Sequence, residues 1–125
     1  MNSIDVKPLD FTSKILFKEW KLGETEPEMT IMNVTVKGTD KDGVEKKITY
    51  VLQDEYNAET QTSSMARTTG YTATAAVNVL LEGLFAEKGV FPPELVGKYK
   101  TCFKYILNYL KERGVIYTKV EENIN

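Results

Sequence analysis

The strongest constraint on the fold is a pair of segments in which apolar and polar residues alternate on either side of a turn. Met32, Val34 and Val36 alternate with polar residues, which is the period of a half-buried strand. Residues 39–43 have turn chemistry, and Gly43 can adopt the positive φ that closes such a loop. Residues 48–53 alternate again. The sequence therefore predicts a β-hairpin, and apolar residues on both of its faces favour a sheet covered on both sides.

Three other segments have helical spacing. The first predicted helix begins near Pro8 or Asp10, with Asp10 as its N-cap, and ends near Leu22, with Gly23 as a left-handed cap. Glutamates 24, 26 and 28 after it are interpreted as a solvated charge run. The second predicted helix covers residues 72–85 and is apolar nearly all round, which indicates burial on several sides.

The remaining chain completes the predicted order of elements. Residues 54–70 are polar and are predicted to form a loop. A last helix begins at Leu95, after a turn, and stops at Gly114. A short strand over residues 115–120 precedes a polar tail. The predicted fold class is α+β, with an antiparallel hairpin-based sheet packed with about three helices.

Composition limits the sites that the chain can build. Its 125 residues predict a single domain over 1–125. Because the sequence has no histidine and one cysteine, Cys102, it excludes Ser–His and Cys–His pairs, histidine metal sites and an intrachain disulfide. We expect no metal site. Cys102 and the aromatic residues of the last helix are interpreted as packing residues.

Charge and hydropathy argue against two classes of partner. Sixteen basic and eighteen acidic residues give a net charge of −2, which argues against nucleic acid. No run approaches 18 apolar residues, so we expect no membrane span. The first residues lack a basic head and an apolar run, so no signal peptide is expected. The predicted location is cytoplasmic.

One segment, residues 62–71, stands out as a candidate site. It places hydroxyls, a glycine and Arg67, one of two arginines, directly before the second predicted helix. A helix N-terminus attracts anions, and Arg67 could add a bidentate contact to a carboxylate or phosphate. In the alternative interpretation, Thr68 or Thr69 caps the helix and Arg67 lies in solvent. Residue chemistry alone leaves both open.

The same run, TSSMARTTGY, resembles the C-terminal signature of saccharopine dehydrogenase-like proteins, the reductase class that joins glutamate to aminoadipate semialdehyde. Weaker matches extend the resemblance over most of the chain: residues 20–22 (WKL), the strand around 30–32 (TIM), 50–56 (YVLQDEY), 89–94 (GVFPPE) and 110–115 (LKERGV). Thr72 departs from the family pattern, which often has proline there.

The resemblance implies the C-terminal third of a longer oxidoreductase of lysine and aminoadipate metabolism, within its substrate domain. NAD or NADP would be held by the parent protein's Rossmann domain, because the sequence given has no glycine-rich cofactor loop and no catalytic residue is assigned in it. The chain alone is then expected to be inactive. The implied substrate-binding or cleft-lining residues are Ser64, Arg67, Thr68, Thr69 and Gly70.

Unsatisfied apolar surface also predicts assembly. The helix over residues 72–85 has more apolar faces than a hairpin and two helices can cover, and the hairpin should present an open edge. A homodimer is therefore expected, with the hairpin or this helix in the interface. Two other classes stay open: a non-catalytic binding or assembly module that pairs with a partner chain, and a small enzyme that uses carboxylates alone.

Overall fold

The structure, a computed structural model, describes residues 5–23 and 25–124. The chain forms an α+β fold with one three-stranded antiparallel sheet. No helix in the described part is long and apolar enough to cross a membrane. The elements in chain order are α1 (Pro8–Trp20), β1 (Met29–Thr39), β2 (Glu45–Glu55), α2 (Ser64–Leu81), α3 (Pro93–Gly97), α4 (Lys100–Glu112) and β3 (Tyr117–Asn123).

The predicted hairpin is confirmed. β1 and β2 pair along their whole length, from Met29 opposite Glu55 to Thr39 opposite Glu45. Gly43 has a φ of +80°, as the turn requires. β3 pairs with the other edge of β2, so β2 is the central strand. The last strand begins two residues later than predicted, and residues 121–123, expected in a polar tail, belong to it.

Helices cover one face of the sheet within the described residues. On that face Leu52 is fully buried, and the Tyr50 ring meets Phe103 of α4 edge to face at 6.0 Å. On the opposite face Ile31 is 69% exposed and Val120 is also exposed. The expectation of a sheet covered on both sides is therefore wrong for this chain taken alone.

The second helix differs most from its prediction. α2 begins at Ser64, eight residues before the predicted start at residue 72, and ends at Leu81 rather than near residue 85. Ser63 is its N-cap and accepts a hydrogen bond from the Ala66 N–H at 3.1 Å. Thr68 and Thr69 therefore do not cap the helix. Thr72 lies in the interior of α2. The departure from the family's proline at this position therefore does not affect where the helix begins.

The threonine hydroxyls of the polar stretch are accommodated within α2. Thr68, Thr72 and Thr74 each donate to the carbonyl oxygen four residues earlier, at 2.9, 2.6 and 2.8 Å. Each hydroxyl is satisfied by its own helix, so it does not compete with the helical backbone for a different conformation. Composition alone favoured a loop, because it does not distinguish a hydroxyl that bonds to its own helix from one that stabilises a non-helical backbone.

The last predicted helix is two helices. The backbone is extended at Tyr99, with φ −79° and ψ 102°, which separates α3 from α4 and brings the number of helices in the described chain to four. Gly114 ends the segment with a φ of +80°, as predicted. Cys102 is fully buried and its thiol donates to the Leu84 carbonyl at 3.3 Å, so its interpretation as a core residue is confirmed.

α1 exists as predicted, but its ends and surroundings differ. Its N-cap is Lys7 rather than Asp10, and no side chain caps it. It ends at Trp20 with an extended Lys21, and Gly23 does not have a positive φ. None of its residues is buried, and it packs extensively against no other element of the described chain.

Candidate functional site

All five predicted site residues lie in the first two turns of α2. Ser64 is fully buried, Arg67 and Thr68 are half-buried, and Thr69 and Gly70 are exposed. The helix therefore divides them into an inward group and an outward group. The inward group contacts the sheet and the turn after α4.

Arg67 joins three parts of the chain. Its Nη2 lies 3.3 Å from Oδ1 of Asp54 and donates to the Arg113 carbonyl at 3.2 Å, while Nη1 donates to the Glu55 carbonyl at 3.2 Å. The side chains are only 11% (Arg67) and 4% (Asp54) exposed. The arginine thus connects α2 to the end of β2 and to the turn that precedes β3. It does not lie in solvent.

The turn after α4 is shaped for this contact. A Cβ at Gly114 would lie 3.2 Å from Nη2 of Arg67, and the residue also has a positive φ. Glycine at this position therefore serves both the helix stop and the close approach of the guanidinium.

Two buried side-chain oxygens of this site lack a hydrogen bond. Oδ2 of Asp54 and Oγ of Ser64 have no hydrogen-bond partner among the described residues. Asp54 uses only its other oxygen, toward Arg67, and Ser64 lies one helical turn before that arginine. Asp54 and Arg67 therefore form a buried ion pair in which the Asp54 carboxylate depends mainly on Arg67 for its stabilisation.

The N-terminus of α2 is already occupied by groups of this chain. The Met65 N–H donates to a carboxylate oxygen of Glu28 at 3.3 Å, and the Ala66 N–H donates to Ser63. Glu28 is therefore a helix-terminal anion rather than part of a solvated charge run; Glu26 is exposed, and Glu24 lies outside the described residues. The expected anion site does not fit this arrangement, and neither does a dinucleotide pyrophosphate, because the carboxylate stands where a phosphate would approach.

The outward group has a different character. Thr69 and Gly70 lie on an exposed surface of α2, and a Cβ at Gly70 would meet no atom within 4 Å. Farther along the helix Leu80 and Leu81 are exposed too, Leu81 by 78%. This exposed surface of α2 carries small residues near the start of the helix and apolar residues near its end.

Sequence reasoning missed the partners that define the inward group. Asp54 follows Tyr50 and Leu52 at a spacing of two residues, so the strand period places its carboxylate on the covered face of β2. A buried carboxylate there needs a cation as its partner. Glu28 had no comparable signal, since its contact with Met65 depends on the fold. No group of three or more cysteine, aspartate or glutamate side chains in the described ranges could hold a metal ion.

Fold and site together define an α+β domain in which a buried arginine connects a helix to the central strand of a half-covered sheet. Comparison with known families gives its membership. The family model described as "Saccharopine dehydrogenase C-terminal domain" matches residues 1–115. The chain therefore belongs to the saccharopine dehydrogenase C-terminal domain family, as its resemblance in the segment 62–71 indicated.

Proposed function

We propose that this chain serves as the C-terminal part of the substrate domain of a saccharopine dehydrogenase-like, NAD(P)-dependent oxidoreductase. The observation that carries the proposal is the family match over residues 1–115. The substrate would be derived from an amino acid, as in lysine and aminoadipate metabolism, and the setting would be cytoplasmic. The cofactor, NAD or NADP, supplies or accepts the hydride, and the parent protein's Rossmann domain would bind it.

In this proposal the first turns of α2 line the cleft of the parent enzyme. Thr69 and Gly70 are exposed and can contact substrate or the neighbouring domain directly. Ser64, Arg67 and Thr68 act from beneath as positioning residues, because their contacts run to the chain itself. Arg67→Ala in the parent enzyme should lower kcat/KM by about tenfold or more, because the first turns of α2 lose the contacts that hold them against β2 and the turn after α4.

The exposed surfaces are the second support. α1 is an amphipathic helix without an extensive neighbour in the described chain, and Leu80 and Leu81 of α2 face outward. Apolar surface of this kind favours burial against another domain or chain. The partners would be the Rossmann domain of the parent and a second copy, in a homodimer.

The cofactor test uses two measurements. Calorimetry of the isolated chain with NADPH should show no saturable micromolar binding, and the chain should have no dehydrogenase activity. Adding the cofactor-binding portion of a family enzyme as a separate chain should produce a stable complex by gel filtration and restore NADPH oxidation. Micromolar cofactor binding by the isolated chain would contradict the proposal.

The alternative function is a non-catalytic binding or assembly module that pairs with a partner chain. The observation that favours it is the same exposed surface of α1 and α2. Two results together would support the binding module over the enzyme. The complex with the cofactor-binding portion would form but remain inactive, and variants of Thr69 and Gly70 would leave the activity of the parent enzyme unchanged.

Light scattering over a dilution series tests the homodimer. The expected mass is twice the chain mass of 14.2 kDa at high concentration, with dissociation on dilution. A constant mass near 14.2 kDa would refute the dimer without affecting the cofactor test.

A further inference from the structure

A recess bounded by three aromatic rings lies in the segment from Phe85 to Tyr99, outside the residues of the proposed cleft. Its cavity has a volume of about 210 Å³, and a neighbouring cavity of about 290 Å³ shares part of its wall. The smaller cavity is lined by Phe85, Glu87, Phe91, Leu95, Lys98 and Tyr99. The proposed function uses none of these residues.

Two of the three rings pack edge to face against the third, Phe85. Phe91 and Tyr99 each stand nearly perpendicular to Phe85, at interplanar angles of 82° and 86° and centroid distances of 5.4 Å. Phe85 is buried in the core formed with Val79 and Cys102, so the packed interior supports the base of the recess. The faces of aromatic rings carry partial negative charge and attract cations.

Glu87 adds a full negative charge to the same wall. Its carboxylate accepts a hydrogen bond from the Tyr99 hydroxyl. No lysine or arginine of the described chain forms an ion pair with it at salt-bridge distance. The Glu87 carboxylate, by accepting that hydrogen bond, raises the pKa of Tyr99 above its usual range. The recess therefore combines aromatic rings with a carboxylate that forms no salt bridge among the described residues.

We propose that this recess binds an alkylammonium group, with the cation against the rings and the Glu87 carboxylate and its hydrocarbon part against Phe85, Phe91 and Leu95. The Glu87 carboxylate and the ring faces repel anions and attract cations, so the recess favours a cationic ligand over an anionic or uncharged one. Lys98 also lines the recess and opposes the ligand's charge, but its flexible stem allows its ammonium group to turn toward water.

An NMR titration of the full chain tests the charge requirement. The probes are choline and 3,3-dimethyl-1-butanol, an uncharged compound of nearly the same shape. Choline should shift the ring signals of Phe85, Phe91 and Tyr99 with a Kd on the order of millimolar, and the uncharged compound should bind at least about fivefold more weakly. Equal binding of the two compounds, or no shifts with choline, would overturn the proposal.

Three variants assign the effect to individual charges. Glu87→Gln should weaken choline binding about fivefold, the effect of one unit charge near 4 Å in a watery setting. Lys98→Gln should strengthen binding, because it removes the opposing charge. Glu94→Gln is the matched control: it removes a charge from the first turn of α3 without lining the cavity, and should leave the affinity unchanged. An unchanged affinity in Glu87→Gln would refute the site.

The source of the ammonium group is distinguished by two further probes, n-butylammonium and a capped Gly-Lys-Gly peptide. Binding of the peptide more tightly than n-butylammonium indicates a lysine side chain of a protein partner. Binding of the amine equally or more tightly indicates a free amine. Failure of both, while NADPH oxidation is restored in the complementation experiment, overturns this site and leaves the proposed function intact.

Discussion

Truncation of Arg67 should be among the most destabilising single changes that this chain can undergo. Arg67→Ala removes the cation from Asp54, whose side chain is 4% exposed and whose second oxygen has no partner in the described chain. It also leaves the carbonyls of Glu55 and Arg113 without their donor. Breaking a buried pair from one side costs about 3–5 kcal/mol.

That loss compares with about 5–15 kcal/mol of total stability for a typical domain. Arg67→Lys keeps the charge but not the planar fork that reaches three acceptors, so it should cost less, about 1–2 kcal/mol. The control is Arg113→Ala. That arginine is 35% exposed, and its guanidinium lies over the Tyr109 ring at 3.3 Å, a contact of about 1 kcal/mol.

Urea unfolding followed by circular dichroism measures all of these variants. A double variant, Asp54→Leu with Arg67→Met, tests the cause, because removing both charges eliminates the uncompensated carboxylate. The double variant should be more stable than Arg67→Ala. If Arg67→Ala costs no more than Arg113→Ala, or if the double variant is less stable than Arg67→Ala alone, the buried-charge reasoning is refuted.

Three further outcomes are expected. Gly70→Ala should stabilise the isolated chain by about 0.5–1 kcal/mol in urea unfolding, because a helical glycine with open space around it gains from a methyl group; destabilisation would indicate a contact within the chain. Glu87→Gln should lower the Tyr99 pKa toward 10.0 in a tyrosinate absorbance titration. Since the Tyr99 pKa is raised in the folded state, the hydrogen bond from Tyr99 to Glu87 stabilises the chain below pH 10, and this stabilisation is lost as pH rises through the folded pKa. Hydrogen bonding to Lys46 chiefly lowers the pKa of Asp40, so Asp40→Asn should destabilise the chain at neutral pH, and the difference should vanish as pH falls below 3.8 through the folded pKa.

Local patterns were sufficient to predict the hairpin. Alternation over residues 32–36 and 48–52 and the turn at Gly43 all act within a few residues of one another, so the sequence contains the full cause. The start of α2 was not predictable in the same way. Ser63 caps the helix, and the threonines after it bond to carbonyls of the helix itself, but serine and threonine in a sequence indicate a loop as readily as this arrangement.

The candidate site was predictable as a segment but not as a geometry. The arginine and hydroxyls of residues 62–71 identify the right part of the chain. The acceptors of Arg67 are supplied 12 to 46 positions away, at Glu55, Asp54 and Arg113, and only the pairing of distant elements brings them together. The break at Tyr99 was missed because the apolar spacing runs continuously through α3 and α4 in the sequence.

The isolation of α1 gives this protein a built-in optical reporter. A helix of 13 residues without an extensive neighbour among the described residues is marginally stable in water, so its helicity depends on what it contacts. The only tryptophan of the sequence, Trp20, ends this helix and is 72% exposed. Docking of α1 onto any apolar partner would therefore shift indole emission to shorter wavelength and protect the α1 amides from hydrogen exchange. Association could then be followed in the unlabelled protein, at concentrations too low for scattering.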